Sequence, residues 1–437
     1  MPAKVARRLH PPEPAVLEVE EFDAHGTSRA LFKDRWIEVE HGIPGEQVQA
    51  LVNGRRRRWA KITSVTRPAP DRVEAPCPHF HEGCGGCQWQ MLAYESQRER
   101  KRRRAEAAFA DHGFEIVVPP PRSSPEPWRY RATAGISLGH AAGFRRRGSQ
   151  SIVTMRDCPI SDPLIGELAA TLNQAIGSGA IPNFLGEVAV EARLVERNGG
   201  TGLHTCIVPS PGSRHASLEA VLPLALHLTN LDSVVGVMYR HRQQLPELMF
   251  GERFGWITIT AKLFAVSAAT FFQTNLALLP ELLSVVLGAA PTNGVETVVD
   301  IYGGVGLFGL CLAPGVGRVI EIEVDPVGIE AAHLSCRQQG LHNVDFMTGT
   351  AETLLADIEH ADIVVVDPPR SGLTPKVVDA ICRLRPPVLL YVSCLASSMA
   401  RDAAIFKSHG YALGRLEAFD FYPQTYHLEL FGALMLQ

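Results

Sequence analysis

"VVDIYGGVGLFGLCLA", residues 298–313, is a short β-branched run that breaks at glycines and resumes as an apolar helix. Such a run suits a strand buried on both faces of a parallel sheet. The glycines permit a tight turn and close approach of backbone to a ligand. Gly304, Gly306 and Gly309 satisfy G-x-G-x-x-G, and Glu323 follows nineteen residues after Gly304, placed for a ribose hydroxyl. Dinucleotides and S-adenosylmethionine both carry that ribose, so the glycines alone do not choose between them. Around this stretch "TVVDIY", "RVIEIEV", "DIVVVDPP" and "VLLYVSC" alternate with helical segments, among them "TNLALLPELLSVVLGAA". The C-terminal half is therefore expected to be a doubly wound α/β domain.

Two further strand ends narrow the chemistry. "VVVDPPRSG", 364–372, puts an acid and two prolines at the carboxyl end of a strand, where open α/β sheets bind ligands. The next strand ends in "YVSCLASSMARD", 391–402, with Cys394 just before a small-residue turn. A lone cysteine is usually a small core hydrophobe. Beside the acid of the previous strand end it suits a base-modifying transferase better than a dehydrogenase.

With 46% apolar and 20% charged residues the 437-residue chain reads as globular, and it is long enough for two or three domains. No apolar run reaches the roughly 18–20 residues of a membrane helix. "MPAKVARRLHPPEP" has no apolar stretch behind its basic residues, so a cytoplasmic location is expected. Net charge is only -4, yet "RRRR" (55–58), "RERKRRR" (98–104) and "RRR" (145–147) crowd into the first third. That clustering predicts a polyanion-facing surface, with nucleic acid the leading partner. Residues 14–66 read as five or so short strands of a small closed barrel. A helix follows over about 92–113, ended by Gly113. From about 115 to 265 strands dominate, with a helix near 162–178. Nine cysteines without a leader argue against a disulfide framework. Cys77, Cys84 and Cys87 lie within eleven residues and lack a fourth ligand; from spacing alone such a set could hold zinc or an iron–sulfur cluster.

Taken in order, "CPHFHEGCGGCQWQMLAYESQ", "FFQTN" (271–275), "DIYGGVGLFGLCLA", "DPPRSG", "YVSC…ARD" and "FDFYPQTYHLE" closely resemble the RNA uracil-C5 methyltransferases, specifically the iron–sulfur branch acting on 23S ribosomal RNA. The resemblance implies three parts: an OB-like TRAM barrel over 1–67, a central iron–sulfur α+β domain over 68–268, and a Rossmann-like class I methyltransferase domain over 269–437. It implies Cys158 as fourth ligand, with Cys77, Cys84 and Cys87, of a 4Fe-4S cluster. It implies S-adenosylmethionine held by Gln273, Tyr302, Gly304, Gly306, Glu323 and Asp367. Cys394 is then the nucleophile at uracil C6, and Glu429 the base that removes the C5 proton. Transfer RNA is the rival substrate, a catalytically degenerate RNA-binding relative the rival of another class, and a monomer is expected. The chain departs from the family pattern at Gly303, Leu307 and Thr350, and most visibly at Leu395-Ala396, where Asn-Pro is usual.

Overall fold

The structure is a computed structural model that describes residues 11–53, 59–197, 199–241, 244–291 and 293–437. The arginine run at 55–58 lies outside the described residues. The C-terminal sheet has seven strands: β1 (Thr297–Ile301), β2 (Arg318–Glu323), β3 (Val344–Thr348), β4 (Ile363–Val366), β5 (Val388–Ser393), β6 (Tyr411–Phe419) and β7 (Glu429–Leu436). Their order is β3-β2-β1-β4-β5-β7-β6. The first five run parallel, and β7 enters antiparallel to both β5 and β6. The strand order reverses between the parallel neighbours β1 and β4, so the loops after both strands open onto one crevice.

Alternation along these strands builds two apolar layers. Val298, Val319, Ile363, Val365, Leu390 and Val392 face one core. Val299, Ile301, Ile320, Ile322, Val364, Val366, Leu389 and Tyr391 face the other. Helix Leu279–Ala289 and the hairpin Gly255–Val266 cover the first layer. The second is covered partly by helix Tyr94–Ala110, which comes from the N-terminal third and inserts Ala105 and Phe109. Its basic run is not a free polyanion face, contrary to expectation. Arg98 pairs with Glu95, Arg100 with Asp71, Arg102 with Glu99 and Glu106, and Arg103 with Glu99. Lys101 is fully buried against Asp420 at 2.6 Å, and Arg104 lies over Trp89 and Tyr426.

Six N-terminal strands between Glu13 and Arg67 form a separate curled sheet around Leu17, Val39, Val48 and Ala60. Its hydrogen-bonded path runs from Glu13–Glu18 at one edge to Glu21–Phe22 at the other. A central nine-stranded sheet, mostly antiparallel, packs helices Pro163–Ser178 and Leu218–Thr229 into one core. The first of these helices begins with Asp162 accepting from Leu164 N and ends on Gly179 at φ 76°, the residue types such ends favour.

Candidate active site

β5 carries Cys394 to the sheet's edge. Ser393 and Leu430 are the last paired residues of β5 and β7, so Cys394 and Glu429 stand at the next step outward on adjacent strands. Tyr391 Oη and Leu373 N both donate to the buried Asp402, at 2.7 and 2.8 Å. Ser398 Oγ donates to Arg370 O at 2.7 Å. These bonds lock the loop after β4 to β5 and the helix behind it. Gly372, at φ 75°, is needed there, because a Cβ would fall 2.6 Å from Asp402 Oδ2.

Cys394 opens onto a cavity of ≈ 470 Å³, lined also by Arg131, Arg370, Tyr422, Phe271 and His427. Burial pushes its thiol up to about 11, reinforced by the Glu429 and Asp367 carboxylates and opposed by Arg370. Glu429 is buried and raised well above the usual carboxylate range by burial and by Asp367, with Tyr422 and Arg370 opposing. Asp367 keeps some exposed surface, but its carboxyl is enclosed, and burial pushes it up to about 7. Gln273 Nε2 donates to Asp367 Oδ2 at 3.4 Å, while its buried Oε1 has no partner among the described residues. Arg370 Nη2 lies 2.7 Å from His427 Nδ1. Burial and Arg370 push that imidazole down to about 3, so it is neutral and free to accept from the guanidinium.

At the other strand end the backbone takes left-handed values at Tyr302 (65°), Gly304 (61°) and Gly306 (83°). Glu323 accepts from Gly304 N at 3.0 Å and from Asp325 N at 2.7 Å, which ties the glycine turn to β2. Tyr302 is half-buried beside it. The expected cofactor residues thus line the ends of β1, β2 and β4 and the segment before helix Leu279–Ala289.

Residues 260–437 match the family model described as tRNA (Uracil-5-)-methyltransferase. The chain is 30% identical over 446 residues to an uncharacterized RNA methyltransferase of Thermosynechococcus vestitus, covering 96% of this chain and 97% of the relative. It is 31% identical over 452 residues to one of Caldanaerobacter subterraneus, covering 97% and 98%. The chain belongs to the RNA uracil-5-methyltransferase family. The fold is also that of the Pyrococcus abyssi tRNA (uracil-54, C5)-methyltransferase solved with S-adenosyl-L-homocysteine, at TM-score 0.74 and 24% identity, covering 96% of this chain and 99% of that one. This RNA methyltransferase is accordingly of mixed α/β fold with a Rossmann-like sheet.

Its four named cysteines are all free, and they are drawn together. Burial raises the thiols of Cys77, Cys84 and Cys87, and each also feels the charge of Cys158. Gly83, at φ 87°, turns the loop; Cys84 bridges to Arg146, and Arg147 Nη2 donates to Cys87 O at 3.2 Å. Gly86 N lies 3.4 Å from Cys84 Sγ. Among the described residues no three side chains come close enough to share a single metal ion. A wide groove of ≈ 730 Å³ runs past this loop, lined by His25, Gly86, Arg131, Arg146, Arg147 and Tyr426. Gly86 and Arg131 also line the Cys394 cavity, so groove and cavity adjoin.

Sequence reasoning passed over Arg370, His427 and Tyr422 as site residues, although each lies inside a quoted motif. The signal was the motif itself, since charged and aromatic residues between two site carboxylates share their pocket.

Proposed function

We propose that the enzyme methylates C5 of one uridine in RNA, with 23S ribosomal RNA as substrate, through a covalent bond from Cys394 to uracil C6. The observation that carries this reading is that Cys394 and Glu429 stand one step beyond the last paired residues, Ser393 and Leu430, of adjacent antiparallel strands, with Cys394 open to the cavity. Uracil C5 is a poor nucleophile until a thiolate adds at C6 and gives it enolate character. Cys394 releases its proton to solvent, with Arg370 favouring the thiolate, and the sulfur adds to C6 as the C5–C6 double-bond electrons move into the enolate. C5 then takes the methyl group of S-adenosylmethionine, whose S–CH3 bond breaks to leave S-adenosylhomocysteine. Glu429, ionised with help from Tyr422 and Arg370, then takes the C5 proton, the C6–S bond breaks, and the thiolate leaves. Asp367 faces the base and Gln273, whose unpartnered Oε1 suits the donor's ammonium group. Gly304 and Gly306 bring backbone close to the donor, Tyr302 packs near its adenosine, and Glu323 takes the ribose hydroxyls.

The chain is read as three domains, 1–67, 68–268 and 269–437, the first a TRAM barrel. The thiols of Cys77, Cys84, Cys87 and Cys158 are read as the ligands of a 4Fe-4S cluster: all four are free, the first three each feel the charge of Cys158, and Gly86 N lies 3.4 Å from Cys84 Sγ. A cluster is wider than one ion, and bound there it would brace the loop beside the groove. The groove is read as the path of the RNA flanking the target base, which must leave its stack to reach Cys394. The enzyme is expected to work in the cytoplasm as a monomer. Transfer RNA is the second reading, favoured by the substrate named in the matching family description.

The test is a covalent trap. The enzyme is incubated with S-adenosylmethionine and 5-fluorouridine-substituted ribosomal or transfer RNA, then run on a denaturing gel. Fluorine at C5 cannot be abstracted, so an adduct at Cys394 persists, and the RNA that traps is the substrate. A folded, donor-bound enzyme that traps neither RNA would sink the covalent reading.

A further inference from the structure

Behind the glycine turn sits a carboxyl pair that the mechanism above does not use. Asp300 and Glu321, one on β1 and one on β2, are 0% and 1% exposed. Asp300 Oδ2 accepts from Gly309 N at 2.8 Å. Asp300 Oδ1 and both oxygens of Glu321 have no donor among the described protein groups if both acids are ionised. Two buried carboxyls facing one another are satisfied when one carries a proton. Burial raises both, and Asp300 pushes Glu321 further up, whereas Asp300, though also raised by Asp367, is held lower by Gly309 N–H and by a hydrogen bond with Glu321.

Glu321 also fills the space that side chains on the turn would take. A Cβ at Gly303 would lie 2.0 Å from Glu321 Oε2, and one at Gly309 would lie 2.1 Å from Oε1. Neither glycine has a positive φ, so the bar to a side chain there is the Glu321 carboxyl and not backbone strain. The acid and the two glycines are a matched set.

We propose that Glu321 is a positioning residue for the methyl donor: as a neutral acid donating to Asp300, it buttresses the glycine turn and fixes Gly309 and Gly304 where the donor docks. The proposal rests on the reading that this turn binds S-adenosylmethionine. Glu321 touches neither donor nor RNA; it acts through Asp300 and the turn.

The test uses the full-length enzyme and S-adenosylhomocysteine, titrated by calorimetry, with a thermal melt on each variant. Glu321→Gln keeps the size and an N–H for Asp300, and is expected to bind within about threefold of wild type. Glu321→Leu keeps the bulk but has no donor, and is expected to bind at least about tenfold more weakly. In turnover, Glu321→Leu should raise KM for the donor while kcat at saturation stays within about threefold. Gly303→Ala should weaken binding at least about tenfold, and Gly303→Ala/Glu321→Ala should lose less than the product of the two single-variant losses, a non-additivity expected of touching residues. The idea is overturned if Glu321→Leu binds like wild type, if Glu321→Gln is as poor as Glu321→Leu, or if the double variant loses the full product of the Gly303→Ala and Glu321→Ala losses. Wild-type enzyme that does not bind the homocysteine product would instead overturn the donor-site reading beneath it.

Discussion

A thiol raised to about 11 is mostly uncharged at neutral pH, so Cys394 depends on Arg370 for its reactivity. The same guanidinium opposes protonation of Glu429. Rate should therefore rise with pH as thiol and carboxyl ionise. Removing a cation that favours both ionised forms moves the rise to higher pH. Arg370 is exposed, so its effect is screened, and Arg370→Ala should shift the rising limb of kcat/KM upward by about half to one pH unit. A pH profile of methyl transfer that is unchanged in this variant would contradict the assignment. Glu429→Gln tests the other half of the chemistry. Addition and methyl transfer leave an adduct that only proton removal resolves, so kcat should fall by about 10²–10⁴ and a gel-stable protein–RNA adduct should accumulate on unmodified RNA. At this scale Cys394 and Asp367 could be singled out because each follows a strand end inside a motif, whereas Glu429, the first residue of β7, was named through the family resemblance alone. Glu321 was not, because "RVIEIEV" reads as a plain buried strand. Its role comes from the two glycines it meets only in the folded sheet.

Among the elements, four of the five parallel strands could be read from apolar runs, since alternation and length are local properties, whereas β3, "VDFMT", has no continuous apolar run. The placement of β7 between β5 and β6 could not, because pairing order is a tertiary choice that periodicity does not record. That insertion is what sets Glu429 beside Cys394. A second tertiary choice is helix Tyr94–Ala110, whose Lys101 crosses to the C-terminal region. There it meets Asp420 at 2.6 Å and donates to Tyr422 O at 2.9 Å. Both side chains are fully buried, so breaking the pair leaves a carboxylate with no counter-charge. Lys101→Met should cost about 3–5 kcal/mol in denaturant unfolding. Adding Asp420→Leu should recover much of that loss, as replacing both partners by apolar groups often does. A single variant as stable as wild type would show that the pair does not anchor the helix.

Across the whole molecule, Gln424, in the loop before β7, ties the C-terminal region to the segment after the cysteine loop. Its carbonyl accepts from Gln88 N at 3.1 Å and from Trp89 N at 3.0 Å, just past the cysteine loop. Its side-chain Oε1 accepts from Gln97 Nε2 and its backbone N–H donates to Gln97 Oε1, and Trp89 Nε1 donates to Gly26 O, in the turn after Phe22, at 2.9 Å. The sequence shows the cysteine motif and the "YPQTY" segment over 330 residues apart, and nothing local announces that they touch. The charge pattern was only partly legible for the same reason. Of the runs expected to face a polyanion, 98–104 spends its charge inside the protein, whereas 145–147 borders the groove beside the Cys394 cavity. Counterion release separates these two fates. Each cation on a phosphate steepens the fall of log K with log salt by about 0.7 for single strands and about 0.9 for duplex. Arg146 is exposed at the groove, so Arg146→Ala should flatten the slope by about that amount in filter binding to the substrate RNA. Arg103, held by Glu99 on the helix, is the control: Arg103→Ala should leave the slope unchanged. Equal slopes for wild type and Arg146→Ala would remove the groove from the RNA path. A flattened slope in Arg103→Ala would return the helix to it.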